Sequence, residues 1–181
     1  AEAIKHGFIL DSSLVDVFEE HAEALMNVEP EISTEVIRRS MAIKANVVSQ
    51  DERETLGIRI MLNYGHTIGH ALESTTEYGT FFHGEGVSVG MMGAATMAQE
   101  MGLHSQDLVD RQRAILERFN LPTSAKGLNA AAILEGISLD KQVQSGLKRW
   151  VLLGAVVRSV VRTYGHEACT FYTPASCADR P

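Results

Sequence analysis

The sequence predicts a mainly α fold, a helical bundle with at most a small β-hairpin near residues 148–161. Three observations predict it. Apolar residues recur at helical spacing in one segment after another up to residue 137. The run from Glu85 to Met101 is rich in Gly, Ala, Ser and Met and holds almost no charge before Glu100. A helix that small and apolar on every side belongs inside a bundle. Only Lys148 to Leu153 and Val156 to Val161 are β-prone, as a hairpin around Gly154 would be.

Taken in order, Leu14, Val17, Phe18 and Leu25 mark a first helix, with Asp11, Ser12 or Ser13 available as its N-cap. Pro30 opens a second, whose Ile32, Val36, Ile43 and Val47 form one buried stripe. The charged run Asp51-Glu52-Arg53-Glu54 interrupts that stripe, and Gly57 ends or bends it. A third helical segment runs from about Leu62 into Glu73, followed by a loop from Thr75 to Thr80. After the buried helix, Leu108, Val109, Ile115, Leu116 and Phe119 give an amphipathic one, stopped by Leu121-Pro122. Ala125 to Ile137 is a further short helix, which brings the count to six or seven. From Thr163 onward the sequence is small, polar and aperiodic, and residues 163–181 are expected to form a loosely ordered tail.

Composition narrows the function classes. With 181 residues and 45% of them hydrophobic, the chain has enough apolar side chains for a sizeable core, which excludes wholesale disorder. A net charge of −7 argues against a nucleic-acid partner. The longest weakly polar stretch, Gly86 to Ala98, is too short to span a bilayer, so no membrane partner is expected. The charged opening Ala1-Glu2-Ala3-Ile4-Lys5 carries no signal-peptide pattern. Cys169 and Cys177 sit in the polar tail and provide neither a disulfide nor a zinc framework. The expectation is a soluble, cytoplasmic domain.

The chemistry-bearing residues are histidines. His66 and His70 are four apart, which on a helix puts both imidazoles on one face. Gly65 and Gly69 leave that face open to close approach, and His83 follows where a loop should enter the buried helix. Glu2 offers a carboxylate beside Lys5. Two histidines and one carboxylate with an open position form a common catalytic zinc arrangement. For the histidine pair alone, helix capping or core hydrogen bonding is the commoner role. Thr67 stands where a metalloprotease motif carries its glutamate, so that chemistry lacks its general base.

The block Leu62-Asn63-Tyr64-Gly65-His66-Thr67-Ile68-Gly69-His70-Ala71-Leu72-Glu73, followed by His83-Gly84-Glu85-Gly86-Val87-Ser88-Val89-Gly90-Met91, closely resembles 3-dehydroquinate synthase. So do Ala1 to Gly7, the segment from Asp51 to Arg59, and Leu139-Asp140-Lys141. The resemblance runs from residue 1 to about residue 161 and corresponds to that family's C-terminal, α-helical, metal-binding domain. It implies a domain over residues 1–162 of the dehydroquinate synthase type. It also implies ligation of zinc, or another divalent metal such as cobalt, by Glu2, His66 and His83. His70 resembles a histidine near the substrate suited to proton transfer. Lys5 and Glu54 resemble catalytic-site residues, Glu54 as a supporting carboxylate. Lys44, Arg59, Asn63 and Lys141 resemble positions that bind a small phosphorylated sugar acid, which needs cations such as Arg59.

The family converts 3-deoxy-D-arabino-heptulosonate 7-phosphate to 3-dehydroquinate in the shikimate pathway with zinc and NAD. No Gly-x-Gly-x-x-Gly follows a strand in these 181 residues, so the N-terminal NAD-binding domain is expected to be absent from this chain. The resemblance therefore implies half of an enzyme, unable to run the full reaction alone. Such a half would work with an N-terminal domain supplied in trans, or form a homodimer through the apolar face left uncovered. Two other readings stand beside it. A truncated domain with an open metal site could hydrolyse an ester or lactone, or the chain could be a non-catalytic metal-binding or oligomerisation module.

Overall fold

The structure is a computed structural model and describes residues 1–76, 81–139, 143–144 and 147–164. Among them are eight α-helices: α1 (Glu2–Leu10), α2 (Ser12–Glu20), α3 (Ala22–Met26), α4 (Pro30–Gln50), α5 (His66–Thr75), α6 (His83–Glu100), α7 (Gln106–Arg118) and α8 (Ala130–Leu139). A 3-10 helix, Arg59–Asn63, precedes α5. Strands β1 (Val143–Gln144), β2 (Leu147–Ala155) and β3 (Arg158–Tyr164) form one antiparallel sheet in that order. The mainly helical class is as the periodicity predicts. Its boundaries depart from the sequence reading at several points, some set by local backbone and others by contacts distant in sequence.

The helix expected from Leu14 to Leu25 is divided at His21 into α2 and α3. Arg118 on α7 donates to the Glu19 carbonyl at 2.8 Å, capturing one of the acceptors that a helix end leaves open. Asp11 is the N-cap of α2, its carboxylate accepting from the Leu14 N–H. The segment from Leu62 is 3-10 helix and turn before it becomes α5, because Gly65 takes φ +80, a left-handed conformation that ends regular helix. Helix α8 begins five residues later than Ala125, with Gly127 at φ +79 and the Asn129 side chain accepting from the Ala131 N–H. The hairpin turns at Val156–Val157 rather than Gly154, and its tip is tied down by the Val157 N–H donating to the Phe8 carbonyl of α1 at 2.8 Å. Short β1 is an addition beyond the expected hairpin, and β3 continues through Thr163 and Tyr164, at the start of the expected tail. The rest of the expected tail lies outside the described residues, as does the end of the expected 75–80 loop.

The buried core is centred on α6, with Val87 to Ala95 and Met97 to Ala98 all removed from solvent. This bears out the reading of that segment as an interior helix. Tyr64 is wholly buried beside it and donates its hydroxyl to Gln112 of α7 at 2.8 Å, so the polar tip is satisfied. Leu152 and Leu153 point to opposite faces of β2, and both are buried. Among the described residues, no helix is long and apolar enough to cross a membrane.

Helices α5 and α6 pack through glycines. A Cβ on Gly90 would overlap the Gly65 carbonyl, and one on Gly65 would lie 2.7 Å from the Met91 nitrogen. Gly69 meets the Gly86 backbone, where a Cβ would sit at 3.1 Å. At Gly86 the nearest atom would be 3.2 Å from a Cβ, so this position has more room. Gly90→Ala is therefore expected to cost on the order of 3 kcal/mol or prevent folding, because backbone has to move. Gly86→Ala should stay within about 1 kcal/mol of the parent, the extra helix propensity offsetting a tight contact. Urea unfolding followed by circular dichroism checks the contrast; equal losses at the two positions would contradict the seam.

Candidate metal centre

The glycine seam brings the start of α6 against one face of α5. His66, His70 and Glu73 lie at i, i+4 and i+7 and share that face. His83, the first residue of α6, closes it from the other side. The ring centroids of His66 and His83 are 5.3 Å apart, those of His66 and His70 5.4 Å, and those of His70 and His83 6.1 Å. Helix α1 adds Glu2 from a third direction, with its Oε1 3.5 Å from His66 Nε2. One ligand atom from each of Glu2, His66 and His83 lies within 4.8 Å of the others; the same is true of His70, Glu73 and His83. Glu2, His66 and His83 are each the first residue of a helix, so three helix N-termini converge here.

Hydrogen bonds assign the proton on His66. Its Nδ1 is 3.2 Å from the Tyr64 carbonyl, which can only accept, so Nδ1 carries the hydrogen and Nε2 presents a lone pair. Burial and the nearby Lys5 ammonium push the His66 pKa down to about 4, so the ring is neutral at pH 7. Burial opposes ionisation of Glu2, but Lys5 outweighs it and holds the carboxyl below its usual range. A lone pair thus faces a carboxylate at 3.5 Å with no proton between them. A cation shared by the two atoms resolves that opposition. Two imidazoles and one carboxylate are also the donor set of an open zinc or cobalt site, so the residues fit such an ion.

Lys5 is only 2% exposed. Its Nζ donates to both Glu2 oxygens at 3.1 Å and to the Leu62 carbonyl at 2.6 Å, which ties α1 to the 3-10 helix and fixes the carboxylate. Burial lowers the Lys5 pKa, with the Glu2 charge acting in the other direction. The structure thus brings five predicted residues together: Glu2, Lys5, His66, His70 and His83. Asn63 ends the 3-10 helix next to Leu62 and is half-buried. Lys44 is exposed on α4, and its charge is felt at Lys5. Arg59 pairs through Nε with Glu54 at 3.2 Å and donates from Nη1 to the Glu52 carbonyl. Lys141 lies outside the described residues.

Two residues that organise the site were not singled out from the sequence. Asp51 is buried directly after α4, and its carboxylate accepts from the backbone N–H groups of Leu56, Ile58 and Arg59 at 3.0, 2.9 and 3.1 Å. It shapes the loop that carries Arg59. Glu73 accepts from His83 Nδ1 at 2.8 Å. The sequence does contain a signal for Glu73, since it follows His66 by seven positions and shares its helix face. Asp51 reads only as one charge in a charged run.

The 3-dehydroquinate synthase C-terminal family matches residues 1–143. The chain is 42% identical over 161 residues to the 3-dehydroquinate synthase of Nitrosospira multiformis, covering 89% of this chain and 44% of that protein. With the 3-dehydroquinate synthase of a Picosynechococcus species the identity is 45% over 155 residues, covering 84% of this chain and 42% of the relative. The chain thus spans less than half the length of these relatives. Among solved structures, the fold matches 2-epi-5-epi-valiolone synthase from Streptomyces hygroscopicus subsp. jinggangensis, determined with NAD+ and Zn2+ bound. The TM-score is 0.81 at 18% identity, over 94% of this chain and 48% of that one. It also matches 2-deoxy-scyllo-inosose synthase in complex with carbaglucose-6-phosphate, NAD+ and Co2+, with a TM-score of 0.74 at 22% identity, over 94% and 48% of the two chains.

The Asp51 loop predicts an acid-dependent stability. Backbone N–H groups, that of Leu56 foremost, hold the Asp51 carboxyl below its usual range. Its contribution is therefore complete above the unfolded value of about 4 and is lost as pH falls through the lower native one. Asp51→Ala should lower the urea midpoint at pH 7, and the deficit against the parent should shrink as pH drops below about 4. A deficit independent of pH would contradict the ionised loop staple.

Proposed function

The chain belongs to the 3-dehydroquinate synthase C-terminal family, and from that membership we propose that it forms the metal- and substrate-holding half of a 3-dehydroquinate synthase. The observation that carries this reading is the His66 lone pair facing the ionised Glu2 carboxylate, with His83 within ligand reach of both. Glu2, His66 and His83 would hold zinc, or cobalt in its place. Bound there, the ion would polarise hydroxyl and carbonyl oxygens of the substrate as a Lewis acid.

The remaining residues have roles that follow from their chemistry. Lys5 keeps Glu2 ionised and aimed. His70 stands beside both ligand imidazoles, half-buried, and is placed to move a proton at substrate oxygens. Arg59 has the planar fork that grips a carboxylate or phosphate, and Glu54 with the Glu52 carbonyl fixes its orientation. Lys44, Asn63 and Lys141 would complete the binding of 3-deoxy-D-arabino-heptulosonate 7-phosphate. The nicotinamide cofactor would be held by an N-terminal domain, joined to these residues or supplied in trans, and turnover would require it. A homodimer is a further expected assembly, and a cytoplasmic location accords with the reading.

Metal analysis tests this. After incubation with zinc and desalting, the parent should retain about one ion per chain, and the double variant His66→Ala/His83→Ala essentially none. Equal metal in both would sink the site. These 181 residues, given zinc, NAD and the heptulosonate phosphate, are expected to form no dehydroquinate. Steady formation would overturn the division of labour between two halves.

A further inference from the structure

Glu73 stands outside the proposed ligand set, yet it makes the shortest polar contact in the histidine cluster. Its Oε1 lies 2.8 Å from His83 Nδ1. A carboxylate at that distance accepts, so Nδ1–H is the donor, and the neutral ring is the tautomer whose lone pair is on Nε2. The Tyr64 carbonyl imposes the same tautomer on His66. The two histidines thus have matching outer partners, one a backbone carbonyl and one a side chain.

The two differ in how much they need that partner. His66 is largely buried within the first turn of α5, whereas the His83 side chain is 52% exposed at the start of α6. An imidazole that open has several rotamers and both tautomers available, and ordering it for a ligand costs free energy. Glu73 sits on the rigid α5 face directly across the glycine seam. The α6 backbone passes close by, since a Cβ on Gly86 would lie in van der Waals contact with Glu73 Oε1, at 3.4 Å.

We infer that Glu73 is the positioning residue of the metal centre: it locks His83 as the Nδ1–H tautomer and turns Nε2 toward Glu2 and His66. A carboxylate in that outer position also raises the donor strength of the ring, and its loss commonly weakens metal affinity 10- to 100-fold. This rests on the proposed ligand set of Glu2, His66 and His83. It adds a fourth residue that acts on the ion only through His83.

Two readouts test it, one without metal. In the metal-free parent, the 15N shifts of the His83 ring should report hydrogen on Nδ1, and in Glu73→Ala a mixture of both tautomers. A parent ring protonated on Nε2, or one unchanged by Glu73→Ala, would overturn the inference. In competition with a chromophoric zinc chelator, Glu73→Ala should bind zinc 10- to 100-fold more weakly than the parent. Glu73→Gln, whose amide oxygen still accepts from Nδ1–H, should recover most of that loss. Circular dichroism of both metal-free variants should match the parent, which separates positioning from a general loss of fold. Equal zinc affinity in Glu73→Ala and the parent would overturn the positioning role. Equal losses in the Ala and Gln variants, with an altered Co2+ absorption spectrum in each, would overturn it in favour of direct ligation by Glu73. If the parent itself takes up no zinc, the ligand set fails, while the ring spectrum still decides whether Glu73 holds His83.

Discussion

The site exists because α5 and α6 touch without side chains between them. Gly65 and Gly69 on one helix face Gly86 and Gly90 on the other, and at Gly65 and Gly90 a single methyl group would collide with backbone. Side chains between helices normally hold their axes 8–10 Å apart. Removing them lets the α6 N-terminus come close enough for His83 to share ligand distance with His66. The same four glycines explain why α6 is buried on every side. A helix of small residues can be surrounded closely, and Met91, Met92 and Tyr64 fill the space that the glycines leave.

The second constraint is electrostatic. Three helices begin at the centre, and each N-terminus carries partial positive charge from unpaired N–H groups. Lys5 adds a full charge that is nearly sealed from water. That field favours carboxylates and disfavours protonated imidazole, which agrees with the lowered pKa directions of Glu2 and His66. His66 is thereby kept as a neutral donor, and the Glu2 carboxylate is kept charged. Both are the forms that a metal ion requires of its ligands.

Much of this was legible in the residues. The spacing of His66 and His70, the glycines beside them and the uncharged run after Glu85 located the site's two main helices. Glu2 and His83 were visible as candidate donors, but no periodicity connects them to the others, and only the resemblance joined them with His66 as one ligand set. What the pattern misjudged was local backbone. Gly65 adopts φ +80 and ends a helix that apolar spacing alone would continue, and this places His66 at a helix start instead of mid-helix. The turn at Val157, with φ +57 on a β-branched residue, is held by a hydrogen bond to Phe8, far away in sequence. Such tertiary ties override turn propensity and leave no local trace. Asp51 was obscure for a related reason: its function is in the N–H groups it collects, and backbone partners have no sequence signature.

The same electrostatics bear on what the centre would accept as a further ligand. A divalent ion held by one carboxylate and two neutral imidazoles retains a net positive charge. Lys5 and the converging N-termini add to it, while Glu73 beside His83 and Glu85 in the first turn of α6 oppose them from outside the donor set. In the proposed function the open position therefore favours an oxygen bearing negative or developing negative charge over a neutral donor. A hydroxyl whose proton is departing would suit that field, and His70, beside both ligand imidazoles, would in the same proposal receive the proton. In that reading Arg59, on the Asp51-braced loop rather than on these helices, would recognise a charged tail apart from the reacting oxygens. Helix ends would then set the chemistry of the centre, and a hydrogen-bonded loop its reach.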